Sequence, residues 1–187
     1  MSCCSALLFL AVAIYIHSHG TTNTAATTTT QLHFFMHDDY TGPRPTAARV
    51  VSGRTLLPPS PSGDDNATTT STPRQFGDIV VLNNALTEGP DAGSARVGTA
   101  QGFAVRVSEG GVVSQLAMHL VLDGAGEHRG SSVAVNGRID VDVEVRESVV
   151  VGGTGRFRFA RGYVLSRSYD YDLARGGIVE MDVYVQH

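Results

Sequence analysis

Few side chains in this sequence are placed to do chemistry, and Asp38 is the first of them. The run Leu32–His33–Phe34–Phe35–Met36–His37 has strand character, and a strand points successive side chains to opposite faces. Leu32, Phe34, Met36 and Asp38 therefore share one face, and His33, Phe35, His37 and Asp39 share the other. A carboxyl group at the end of an apolar row is turned toward an interior, where loss of water makes carboxyls into general acids. The competing explanation is local. Asp38–Asp39–Tyr40–Thr41–Gly42 also has turn composition, in which an Asp merely caps its own backbone.

A second charged group is Asp140–Val141–Asp142–Val143–Glu144–Val145–Arg146. Strict alternation would put Asp140, Asp142, Glu144 and Arg146 on one face, which is the pattern of a solvated outer surface. At a rise of about 3.3 Å per residue, Asp140 and Arg146 on a straight strand stand roughly 20 Å apart, so they share a site only if the segment bends. His33 and His37 lie on one face but have no third ligand at suitable spacing, so a surface pair is expected rather than a metal site. There is no Gly-x-Ser-x-Gly, no His-Glu-x-x-His, no P-loop and no pair of CxxC type. Gly152–Gly153–Thr154–Gly155 is followed by strand-like residues instead of a helix, and is read as a hairpin.

The elements that must position these groups are strands throughout. Apolar, β-branched stretches fall at 32–37, 46–51, 76–82, 97–107, 112–122, 131–135, 141–151, 157–168 and 178–186, separated by Gly, Pro, Asp and Asn. Asn136–Gly137 is the strongest short hairpin signal, because both residues accept positive φ. Short strands at this spacing describe a sandwich or a closed antiparallel barrel, and an eight-stranded barrel is wide enough to hold one small ligand.

The chain has 187 residues, 42% of them hydrophobic, enough for one domain with a core of its own. All of its basic charge is arginine, scattered singly, and the formal net charge is −4. Neither a nucleic-acid footprint nor a polybasic membrane patch is present. Ser5–Ile16 is an apolar run of signal-peptide length, too short to span a bilayer, with small residues for cleavage at Ser18, Gly20 and Ala25–Ala26. Its n-region carries no Lys or Arg. A signal peptide over 1–20, extending at most to 26, and export of the mature chain are expected. Both cysteines, Cys3 and Cys4, would leave with that segment, so no disulfide framework is expected. A threonine-rich leader at 21–30 and a Pro/Ser/Thr tract from Leu57 to Pro73 read as disordered or surface segments around a domain at 31–187. Asn66–Ala67–Thr68 in that tract is a sequon, which makes Asn66 a candidate glycosylation site.

Several stretches then combine into a recognisable pattern. They are Phe34–Phe35–Met36–His37–Asp38, Phe76–Gly77–Asp78, Val97–Gly98–Thr99–Ala100–Gln101–Gly102, Val149 through Phe157, Ala160–Arg161–Gly162–Tyr163, and Val183 through His187. In this order and spacing the chain resembles the plant dirigent family, in a grass-type form without a lectin domain. The resemblance implies an all-β, eight-stranded antiparallel barrel of the calycin, allene-oxide-cyclase-like kind. It also implies a homotrimer secreted to the apoplast, and no cofactor. Such proteins bind phenoxy radicals or quinone methides, made by an external laccase or peroxidase, and steer their coupling or cyclisation to one stereoisomer. The small phenolic is the expected ligand. A phenolic-binding defence or cell-wall protein with no catalytic step is the alternative.

Carried over by position, Asp38 matches the family's acid, and Arg146 matches the Arg six residues before the glycine-rich hairpin. The second acid would fall at Ile139, so Asp140, one step away, stands in as the candidate. Phe34, Met36, Ala104 and Arg106 are the expected substrate-lining residues. Ala104 and Arg106 depart from tyrosines common in the family, which removes two phenolic donors.

Overall fold

The computed structural model describes residues 27–53, 74–91 and 93–187. The signal-like segment, the tract from Leu57 to Pro73 and Asn66 lie outside the described residues. Nine strands follow in order: β1 (Thr29–Asp39), β2 (Ala47–Val51), β3 (Ile79–Thr87), β4 (Arg96–Arg106), β5 (Val113–Leu122), β6 (Ser131–Asp140), β7 (Val145–Thr154), β8 (Arg161–Asp172) and β9 (Gly176–Gln186). Each pairs antiparallel with its neighbour in sequence from β2 to β9, and β1 closes the sheet by pairing with both β9 and β3. β1 and β2 lie in series along β3, opposite Ala85–Thr87 and Ile79–Leu82 respectively. Together they form one stave of an eight-stranded barrel, and closure removes the exposed edges that would template aggregation.

Three expectations about local structure change. Asn136–Gly137 is not a turn but the interior of β6, opposite Ala117 and Leu116 on one side and Val149 and Ser148 on the other. Its glycine is needed for clearance, since a Cβ there would sit 2.0 Å from Ser148 Oγ. The turn falls instead at Val141–Glu144, so the Asp140–Arg146 alternation is not one straight strand. The threonine run is not wholly outside the domain either, because Thr29 and Thr30 pair with Gln186 and Val185.

The inward faces change character along the barrel. On β5, Ser114, Leu116 and Met118 line a cavity, whereas Leu120 and Leu122 are buried in the core. β7 and β9 repeat the pattern, with Arg146 and Ser148 giving way to Val150, and Val179 and Met181 to Val183 and Val185. One half is thus a packed core, sealed by the fully buried Phe157 of the short 3-10 turn Gly155–Phe157. The other half stays hollow. Outside, a row of exposed uncharged side chains crosses the strands, with Val81 opposite Phe103, and Val149 opposite Tyr163.

The ends of the span between Gly53 and Gln75 are fastened by one carboxylate. Asp78, 2% exposed, accepts the backbone N–H of Gly53 at 2.8 Å and of Gln75 at 2.9 Å, and pairs with Arg49 at 3.3 Å. Burial alone would raise its pKa, but those two N–H groups and the Arg49 guanidinium outweigh it and hold the carboxyl below its ordinary value. Asp78→Asn is expected to cost about 1–3 kcal/mol in urea denaturation, because an amide N–H replaces an acceptor that faces donors. A depressed folded pKa stabilises above the unfolded value of about 3.9 and loses that contribution as the pH falls through the folded one. The gap between wild type and variant should therefore narrow below about pH 4.

Candidate functional site

The hollow half encloses about 260 Å³. Its wall is mostly apolar, from Met36, Val80, Leu82, Leu116, Met118, Ile139, Val164 and Met181 among others. Polar groups gather toward the end where β1, β4, β7 and β8 present Asp38, Arg106, Arg146 and Tyr171. A greasy wall with few convergent polar groups is the general form of a small-molecule site.

Asp38 faces this cavity, as the period of β1 requires. The capping role belongs to its neighbour: Asp39 Oδ1 accepts the N–H groups of Thr41 and Gly42. Asp38 Oδ1 accepts from Asn84 Nδ2 at 3.1 Å, and its Oδ2 accepts the Tyr171 hydroxyl at 2.5 Å. The Tyr40 hydroxyl lies 3.1 Å from that of Tyr171. Since Tyr171 gives its single proton to Asp38, Tyr40 is the hydroxyl whose proton is left for a neighbour or a ligand. Burial, and after it the charge of Asp38, push the Tyr40 phenol up. Burial, Tyr40 and Asp38 do the same to Tyr171, so both remain protonated donors. Two phenols, Tyr40 and Tyr171, therefore line the cavity beside Asp38.

Arg146 and Arg106 are 7% and 6% exposed, and both line the cavity. Arg146 directs Nη1 and Nη2 at Ser168 Oγ, 3.2 and 3.3 Å away, while Arg106 Nη1 donates to Ser114 Oγ. The Nε of each is buried without a partner. Burial lowers the pKa of both, and in Arg106 the nearby charge of Arg74 adds to the effect. Met36 and Ala104 line the wall as expected.

Two expected site residues do not. Phe34 is on the correct face but two positions deeper than Met36, in the packed half, and is absent from the lining. Asp140 pairs with Arg138 at 3.2 Å and caps the turn by accepting the Asp142 N–H at 3.3 Å, away from the cavity. The turn at Val141–Glu144 brings Asp142, not Asp140, to the rim.

Sequence reasoning also missed Tyr40 and Tyr171. Tyr40 simply continues the β1 period one step beyond Asp38, and counting on would have found it. Tyr171 has no such signal. Val164, Ser166 and Ser168 face inward, and an irregularity in the β8–β9 register between Ser168 and Asp170 then shifts the parity so that Tyr171 turns in. His33 and His37 bond to Asp182 and Thr87, and no three His, Cys, Asp or Glu side chains among the described residues converge as metal ligands.

Fold and site together define a closed β-barrel with a ligand-sized cavity, apolar walls and a carboxylate–phenol–guanidinium end. A family model described as dirigent-like protein matches residues 29–186. Dirigent protein 1 of Arabidopsis thaliana is 37% identical over 185 residues, covering 98% of this chain and 93% of the relative. Pterocarpan synthase 1 of Glycine max is 38% identical over 160 residues, covering 84% and 78%. Among solved structures, the pterocarpan synthase dirigent protein GePTS1 superposes with a TM-score of 0.73 at 34% identity, over 86% of this chain and 91% of that one. The chain belongs to the dirigent family.

Proposed function

We propose that this barrel binds a phenoxy radical or quinone methide and directs its stereoselective coupling or cyclisation, as in lignan biosynthesis. The observation that carries the proposal is the chain of hydrogen bonds Asp38–Tyr171–Tyr40 at the polar end of an apolar cavity. A quinone methide becomes electrophilic at its exocyclic carbon when its ring oxygen takes a proton or a hydrogen bond. Tyr40 is placed to give that proton, Tyr171 passes one on, and Asp38 accepts the proton released by the attacking hydroxyl. One C–O bond forms, the ring regains its phenol, and no net proton is left over. Arg146, with its unpaired Nε, steadies negative charge on the oxygens. The walls decide which face is attacked, and a bias of about 1.4 kcal/mol already gives tenfold selectivity.

The test uses an external laccase as radical source, a panel of monophenols that includes coniferyl alcohol and ferulic acid, and chiral chromatography. Enantiomeric excess with any member supports the function. Racemic products throughout, with measurable phenolic binding, would favour the defence or cell-wall binding role, for which the departures at Ala104 and Ile139 argue.

The remaining parts of the proposal are export to the apoplast after loss of the N-terminal segment, a glycan on Asn66, and assembly as a homotrimer. The exposed pairs Val81–Phe103 and Val149–Tyr163 on the outer face support assembly, since exposed apolar patches rimmed by polar residues mark interfaces. Light scattering should return about three chain masses, and Val149→Glu should reduce it toward one. A monomeric wild type would remove this part.

A further inference from the structure

The cavity holds more positive charge than its own walls balance. Among the described residues, Arg74, Arg106 and Arg146 line it against Asp38 and Asp142 alone, a surplus of one cation in a chain whose formal net charge is −4. Asp38 is engaged by Asn84 and Tyr171, and Asp142 stands exposed at the rim. Among the described residues, no ion pair joins any of the three guanidinium groups to a carboxylate. Each also keeps a buried N–H without a partner: Nη1 of Arg74, and Nε of Arg106 and Arg146. Leaving buried, charged donors unpaired is costly, and structures retain such groups where an incoming anion completes them.

Arg106 is the most demanding of the three. Arg146 has Ser168 Oγ and the Val143 carbonyl as acceptors, whereas Arg106 donates to Ser114 Oγ and otherwise has the neutral phenols of Tyr40 and Tyr171 near it. It also has a like charge beside it, because Arg74 is close enough to depress its protonation. Ala104, two residues earlier on the same face of β4, leaves space where a larger side chain would stand.

We propose that the Arg106–Arg74–Ser114 corner is a carboxylate subsite, so that the phenolic this barrel takes is an acid-bearing phenylpropanoid rather than a neutral alcohol. The inference rests on the phenolic function above and narrows its substrate class. The planar fork of a guanidinium matches the two oxygens of a carboxylate, and Lys or a neutral donor does not reproduce it. The acid group is thereby held at Arg106, at the polar end of the cavity, with the rest of the ligand along the apolar wall.

Isothermal titration with ferulate, methyl ferulate and coniferyl alcohol tests this, since the three share one ring and differ in the charge at the far end. Ferulate is expected to bind at least about tenfold more tightly than the ester or the alcohol. Arg106→Gln should erase that preference, with an unchanged circular-dichroism spectrum and thermal midpoint showing that the variant is folded. Arg106→Lys should restore only part of it. Ferulate binding no more tightly than its ester to the wild type overturns the inference and leaves the phenolic function standing. A preference that survives Arg106→Gln overturns the assignment to this corner. If none of the three binds, both the inference and the phenolic function fall.

Discussion

Asp38→Asn is expected to yield a folded barrel that no longer directs stereochemistry, with enantiomeric excess falling to near zero under conditions where the wild type shows it. The substitution preserves volume and shape. It also leaves a means of satisfying the new amide: Asn84 is fully buried, donates Nδ2 to Asp38, and has an Oδ1 with no partner of its own. A flip of Asn84 would offer that oxygen to the introduced amide, so thermal stability should change little. What the variant cannot do is accept a proton. Tyr171 would still find an oxygen, but the relay through Tyr40 would have no terminus. Positioned proton transfer contributes about 10²–10⁴-fold, so a directed cyclisation followed by stopped flow should slow by at least about 100-fold. Retained enantiomeric excess in a folded Asp38→Asn would assign selectivity to wall shape alone.

The largest expected effect on stability lies at the other end of the barrel. Phe157→Ala should cost about 3–5 kcal/mol, read as a lower midpoint in urea denaturation with little change in slope. Phe157 is fully buried in the packed half, and its ring meets His128 at 5.1 Å and His187 at 5.0 Å between centroids. It comes from a short 3-10 turn that has little stability of its own, and it stoppers the interior between β6 and β7. Truncation removes the transfer energy of the ring and leaves a void that rigid strands cannot close. Phe157→Leu, which refills most of that space, should cost roughly 1.5 kcal/mol or less. A small loss for the alanine variant would mean that the closed end collapses readily.

Every strand was legible in the sequence, because β-branched runs between Gly, Pro and Asp signal strands without help from distant residues. The face of β1 was legible too, which is why Met36 and Asp38 were expected to point inward, whereas Ala104, Arg106 and Arg146 came only from the resemblance and the structure has all three lining the cavity. Depth was not. Phe34 and Met36 have the same parity and chemistry, and only the packing of the far half decides that one is core and the other lines the cavity. Parity also fails wherever a strand carries an irregularity, as Tyr171 shows. The Asn136–Gly137 error has a related cause: a glycine required for clearance against Ser148 carries the same local signature as one required for a turn. Asp140 was named because it stands one step from Ile139, where the resemblance puts the second acid, but the turn at Val141–Glu144 brings Asp142 to the rim instead.

The clasp at Asp78 has a consequence for how this barrel can diversify. A single side chain gathers the N–H groups of Gly53 and Gln75, on both sides of the span from 54 to 73, and so holds the two ends of that span close together. Lengthening a closed loop adds only about 0.6 kcal/mol per doubling. The span is therefore a port into which foreign sequence, an affinity tag or an epitope can be grafted while the register of β2 against β3 is kept.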